Sequence, residues 1–207
     1  MPDPARAPLP RLHAVTDERV AASPATADAA RALAREAGPL LALHARGHEL
    51  SGRAHYALAA MLGAAGPLFV NDRLDVALAC QAAGVQLSPP RWSVADARCI
   101  RATWWIGAAV HSVAEARAAA QGGADYLLLG PAFRSASHPD RPPLDPPALQ
   151  AVVGLGLPVV AIGGVTPERV PQLRRAGVYG VAAIGALWDA PDPAAAARAF
   201  VGALTDG

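Results

Sequence analysis

Lysine is absent from this 207-residue chain; all 18 basic residues are arginine. Without a side-chain amine, Schiff-base chemistry at a lysine is excluded, and aldolase-type mechanisms with it. Cysteine is scarce. Cys80 and Cys99 fall in separate predicted helices, with no CxxC pair or Cys/His cluster. They read as small core residues, not as a disulfide framework or metal site. Charged residues make up only 17% of the chain and nearly cancel, to +1. That balance argues against nucleic-acid binding by bulk electrostatics. No apolar run reaches the roughly 18 residues of a membrane span, because Gly, Pro, Arg or His interrupts each one. Met1-Pro2-Asp3-Pro4-Ala5-Arg6 leads into a strand-like run without the h-region of a signal peptide. A cytoplasmic protein with no membrane partner is the expectation.

What is plentiful is apolar sequence, 53% of residues, in an order of strand then helix repeated eight times. The strand candidates are Arg11–Thr16, Leu40–Ala45, Pro67–Asn71, Gly84–Leu87, Trp104–Val110, Tyr126–Gly130, Val159–Gly163 and Gly180–Ile184. Between them, alanines and leucines recur at three- and four-residue spacing. This predicts helices over Thr26–Ala37, Arg53–Ala64, Leu74–Ala82, Val94–Arg101, Val113–Gln121, Pro147–Val153, Pro167–Ala176 and Pro193–Leu204. Ser112 with Glu115, and Thr166 with Pro167, mark two helix starts. Continuous apolar strands belong to a sheet covered on both faces. The pattern predicts an α/β protein, a single-domain (β/α)8 TIM barrel over residues 1–207, at about 26 residues per unit. A doubly wound open sheet is the structural alternative.

Two strand ends stand out. Val159-Val160-Ala161-Ile162-Gly163-Gly164 runs through Thr166-Pro167 into a helix, and Val181-Ala182-Ala183-Ile184-Gly185-Ala186 repeats the idea. Glycine leaves backbone N–H groups bare, and a helix start behind them favours an anion. Ordinary strand-to-helix turns carry glycine too. The pair at the last two strands of a barrel is what points to a phosphate there.

Chemistry in such a barrel lies at the C-terminal strand ends. The fifth strand delivers His111, and an imidazole is the side chain best suited to both take and give a proton at neutral pH. The second delivers His44 and Arg46, two residues apart and therefore on one side of the strand. A guanidinium fork suits carboxylate or phosphate. The third ends in Asn71-Asp72, which can bind a ligand or metal, although Asp72 serves equally as a helix cap. His13, His48 and His55 read as structural or exposed. The segment Pro131–Pro146 is long and irregular, which in a compact domain points to function.

Taken in order, Ala14-Val15-Thr16-Asp17, Asn71-Asp72-Arg73, Gly84-Val85-Gln86-Leu87, Val110-His111-Ser112, Gly130-Pro131-Ala132-Phe133 and Ala161-Ile162-Gly163-Gly164-Val165 carry a family likeness. The chain resembles the thiamine phosphate synthase/thiazole tautomerase superfamily over nearly its whole length. Departures point to the branch. The synthases carry Gln-x-Arg-x-Lys after the second strand, where Ala42, His44 and Arg46 stand here. They follow the fourth strand with His-Leu-Gly-Gln-x-Asp, whose aspartate binds magnesium; here the run is Gln86-Leu87-Ser88-Pro89-Pro90-Arg91. Their Thr-Lys that binds diphosphate is matched by Ser137-His138. Asp72, the match to the other magnesium ligand, is left without its partner, and a nearby arginine disfavours a dication.

Gly-Val-Gln-Leu and Val-His-Ser look instead like the TenI-type thiazole tautomerases, which aromatise a carboxythiazole phosphate without metal. The resemblance implies His111 as the acid–base residue and a phosphate held by Gly163, Gly164, Gly185 and Ala186. It assigns substrate contacts to His44, Arg46, Asn71, Asp72, Ser137 and His138, no cofactor, and a homodimer. A magnesium-dependent thiamine phosphate synthase is the alternative enzyme. A non-catalytic binder of thiazole or thiamine phosphates is the alternative from another class.

Overall fold

Eight parallel strands close into a ring in the computed structural model, which describes residues 6–89, 91–134, 142–143 and 145–205. The strands are β1 (Leu12–Val15), β2 (Leu41–Ala45), β3 (Leu68–Asn71), β4 (Gly84–Leu87), β5 (Trp105–Val110), β6 (Tyr126–Leu129), β7 (Val159–Ile162) and β8 (Gly180–Ala183). Each pairs with the next in sequence, and β8 returns to β1 through Leu12 opposite Val181. The open-sheet alternative is thereby overturned.

The helices are α1 (Glu18–Ala22), α2 (Thr26–Ala37), α3 (Gly52–Gly63), α4 (Leu74–Ala79), α5 (Val94–Ile100), α6 (Val113–Gln121), α7 (Pro146–Val153), α8 (Val170–Arg175), α9 (Gly185–Trp188) and α10 (Pro193–Thr205). α10 lies against α2 and completes the outer layer where β8 meets β1. The stretch expected as one helix from Pro167 opens with a 3-10 turn at Pro167–Arg169, without a side-chain cap from Thr166. Ser112 does cap α6, accepting from Glu115 N–H at 3.2 Å. The short helices α1 and α9 were not predicted. The cysteines are free but not buried in the core: Cys80, just past the end of α4, is half-buried against the core, and Cys99 in α5 is exposed.

Side chains alternate between two packed layers, as a two-residue strand period requires. Leu12, Ala14, Leu41, Leu43, Val85 and Ile106 face outward and are covered by helices. Val15, Ala42, Phe69, Tyr126, Leu128, Val160 and Ala182 fill the barrel's interior. Two glycines make room for the interior rings. A Cβ on Gly84 would stand 2.4 Å from the Phe69 ring, and one on Gly107 would stand 2.2 Å from the Tyr126 ring. Among these apolar groups four polar side chains are also buried inside the strands: His13, His44, Asn71 and Gln86. No helix among the described residues is long and apolar enough to cross a membrane.

Candidate functional site

The β7 and β8 turns lie beside each other at the barrel mouth. Gly163 and Gly164 have φ of +100° and +63°, a region that L side chains avoid. Their freedom is used for close packing as well. A Cβ on Gly164 would lie 2.4 Å from the carbonyl oxygen of Arg134, so the β6 loop rests on this turn. Phe133 N–H donates to Gly163 O at 2.9 Å, and the Arg169 guanidinium donates to Gly164 O while stacking 4.8 Å from the Phe133 ring centroid. Across the strand pair, α9 begins at Gly185. The N–H groups of Gly164, Gly185 and Ala186 are half-buried and donate to no acceptor among the described residues. This is the arrangement a phosphate needs. Asp189, next to Gly185, would oppose it, but Arg19 pairs with that carboxylate. Arg169 and Arg19 support the cradle from positions that no motif marks in the sequence.

Gly164→Ala is expected to cost about 1–3 kcal/mol through the strained dihedral alone, measured as a lower urea midpoint. An unchanged midpoint would show that neither the dihedral nor the contact with Arg134 O constrains this turn.

His111 follows β5 and is exposed at the mouth. Contacts with Glu115 and Gly130 help to position it. Its backbone N–H donates to the Glu115 carboxylate at 2.7 Å, and its Nδ1 lies 2.5 Å from the carbonyl oxygen of Gly130. A carbonyl only accepts, so Nδ1 carries the proton and Nε2 is the basic nitrogen.

A hollow of about 370 Å³ opens on the side of the mouth formed by β2, β3 and β4. Arg46, His48, Asn71, Asp72, Arg73 and Arg91 line it. Thr16 fixes Arg46 at its base: the Thr16 hydroxyl accepts from Arg46 N–H at 2.9 Å and donates to Arg46 O at 2.8 Å. Asp72, in the left-handed region at φ +56°, ties two loops together. Its carboxylate accepts from Ser88 N–H at 2.7 Å, and its carbonyl accepts from the Trp92 indole at 3.0 Å. It is therefore a loop brace at the pocket edge and not a cap of α4, which starts without a side-chain cap.

The donor set does not fit a divalent cation. Among the described residues Asp72 is the only carboxylate lining the hollow, set among the guanidinium groups of Arg46, Arg91 and Arg73, the last paired with Asp75, and no three acids, histidines or cysteines gather for a metal. The charge suits an anion directly.

One expectation is corrected. His44 does not reach the mouth; it is fully buried. It shares its side of β2 with Arg46, but two residues of strand rise place it roughly 6.6 Å deeper. His13, left out of the site, is its partner: His13 Nδ1 and His44 Nε2 are 2.8 Å apart, and His44 stacks on Phe69. The other histidines are as expected: His48 is exposed, and His55 is buried with Nε2 donating to Ala45 O. Ser137 and His138 lie outside the described residues. A larger hollow, about 640 Å³, opens at the opposite end of the barrel beneath Phe69 and Trp105. It is far from every strand end that carries chemistry.

Comparison with known proteins agrees with this architecture. The family model described as thiamine monophosphate synthase matches residues 12–187. A thiamine-phosphate synthase of Methanoculleus marisnigri is 41% identical, over 91% of this chain and 92% of that protein. The thiamine biosynthesis bifunctional protein ThiM/ThiE of Symbiobacterium thermophilum is 46% identical over 65% of this chain, a match spanning only 28% of that longer protein. Among solved structures, thiamine phosphate pyrophosphorylase from Pyrococcus furiosus superposes with a TM-score of 0.79 at 30% identity, covering 94% of this chain and 95% of that one.

Proposed function

The chain belongs to the thiamine monophosphate synthase family, and from that premise we propose that it is an enzyme of thiamine biosynthesis that handles a phosphorylated thiazole at the barrel mouth. The reaction we assign is metal-independent aromatisation of a carboxythiazole phosphate tautomer. The observation that carries it is the pairing of a basic imidazole with a cation-lined hollow holding a single carboxylate. Gly164, Gly185 and Ala186 hold the phosphate through their N–H groups, and Arg46 faces the substrate carboxylate from the other side of the mouth. His111 Nε2 takes a proton from one ring-system carbon and returns it at another, so the reaction needs no net proton, electron or leaving group. The Gly130 carbonyl keeps Nδ1 protonated and steadies the ring when Nε2 is charged.

A second reading is condensation of a pyrimidine diphosphate with the thiazole phosphate. The names of the relatives support it better than they support tautomerisation, above all the 41% identity over 92% of the Methanoculleus synthase. Against it stand Arg91 in place of an acid and the engaged Asp72. No step through magnesium follows from these residues.

A paired assay separates the two. One arm follows aromatisation of the thiazole tautomer with chelator present; the other follows thiamine phosphate formation with magnesium and both substrates. Acceleration in the first arm alone is the expected result. Activity in the second arm alone establishes the condensation, and binding without turnover in either leaves a silent binder.

A further inference from the structure

The barrel interior holds a polar chain that neither reaction uses. It runs from the end opposite the mouth up to the mouth: Pro10 O, His13, His44, Asn71. His13 Nε2 lies 2.9 Å from Pro10 O, His13 Nδ1 lies 2.8 Å from His44 Nε2, and His44 Nδ1 lies 3.2 Å from the Asn71 side-chain amide. Both imidazoles are fully buried, and Asn71 is 6% exposed, at the wall of the mouth hollow.

The direction of every hydrogen bond in this chain follows from its first member. A proline carbonyl can only accept, so His13 Nε2 carries a proton. No carboxylate contacts either ring among the described residues, and Arg46 lies nearby as a like charge, so each imidazole is neutral with one N–H. His13 Nδ1 is then a lone pair, and His44 Nε2 must donate to it. That leaves His44 Nδ1 as a lone pair too. The structure records Asn71 with Oδ1 facing it, which would set two acceptors together. A half-turn of the amide, which exchanges two nearly isosteric atoms, removes the conflict.

We propose that Asn71 gives its amide nitrogen to His44 and turns its carbonyl oxygen to the hollow, so that the mouth selects a hydrogen-bond-donating ligand group there. An amine, a ring N–H or a hydroxyl meets that oxygen well; a carboxylate is turned away from Asn71 and toward Arg46. His13 and His44 are positioning residues in this scheme, setting the polarity of a side chain at the opposite end of the barrel. The specificity consequence rests on the proposed reaction at this mouth. The amide orientation does not.

The test is imidazole nitrogen NMR on the ligand-free, histidine-labelled protein at neutral pH. Both buried rings are expected as neutral Nε2–H tautomers, assigned with His13→Gln and His44→Gln. Should either variant fail to fold, Asn71→Asp at the mouth serves: a carboxylate cannot donate, so His44 is expected to become imidazolium there and not in the wild type. A His44 Nδ1–H or an imidazolium in the wild type overturns the proposal, as does an identical pattern in wild type and Asn71→Asp. In the aromatisation assay, Arg46→Gln should raise KM about tenfold, the worth of one charge-assisted hydrogen bond; an unchanged KM overturns the placing of the carboxylate at Arg46. Wild-type protein without turnover would sink the reaction and leave the NMR result to decide the orientation.

Discussion

Lowering the pH from 7 to 4 should remove about 3 kcal/mol of folding stability through His13 alone. Burial holds its pKa down at about 4, against an ordinary 6.5, despite the favourable contact with Pro10 O. Burial also pushes His44 down, with His13 and Arg46 nearby adding to the shift. The sign follows from proton counting. Between about 6.5 and 4 the unfolded chain protonates His13 and the folded chain does not, so the unfolded state gains, and His44 acts in the same direction. The contribution is fully present above pH 6.5 and is lost as the pH falls toward 4. Asp75, held down to about 2 chiefly by Arg73, adds its loss only in a lower window, below the ordinary aspartate range. Urea midpoints at pH 7.5, 6 and 5 check the expectation. The wild type should weaken steadily, and His13→Gln should start weaker but fall less steeply. Equal wild-type midpoints at pH 7.5 and 5 would mean that these rings are charged in the folded protein.

The second large effect belongs to His111. His111→Ala should lower kcat for aromatisation by about 10² to 10⁴, the usual worth of a positioned proton-transfer group, with little change in KM. The KM should hold because the phosphate and carboxylate contacts assigned above lie on other strands. His111→Gln keeps a polar side chain at the mouth without a basic nitrogen and should be equally slow. If either variant turns over within about twofold of wild type while binding substrate normally, the proton passes through another group.

The barrel was legible because its strands are nearly continuous apolar runs and its helices carry regular alanine and leucine spacing. Strand positions were placed within one residue at each end. What escaped were α1 and α9, of five and four residues, too short for a helical period to register. In the site, the glycine turns and His111 were readable because position at a strand end is a linear property. Depth within the barrel is not. His44 and Arg46 share a face by spacing, yet one is sealed and the other lines the hollow, and only the closed ring decides which. His13 carried no sign of its role, since its partner lies on the neighbouring strand. Arg169 and Arg19 were invisible for the same reason: their supporting contacts are made by folding and match no pattern.

Closure of the ring also protects the chain from its own copies. With 17% charged residues and a net charge of +1, electrostatic repulsion between molecules is weak. A strand edge left unpaired under such conditions would template strand-to-strand association. The pairing of β8 with β1 removes that edge. His13 sits on β1, within this seam. Acid that charges the interior histidines thus acts on the strand whose release would free two edges at once, and acid-unfolded protein should precipitate instead of refolding when neutral pH is restored. For so weakly charged a chain, colloidal stability rests on a ring held shut by backbone hydrogen bonds.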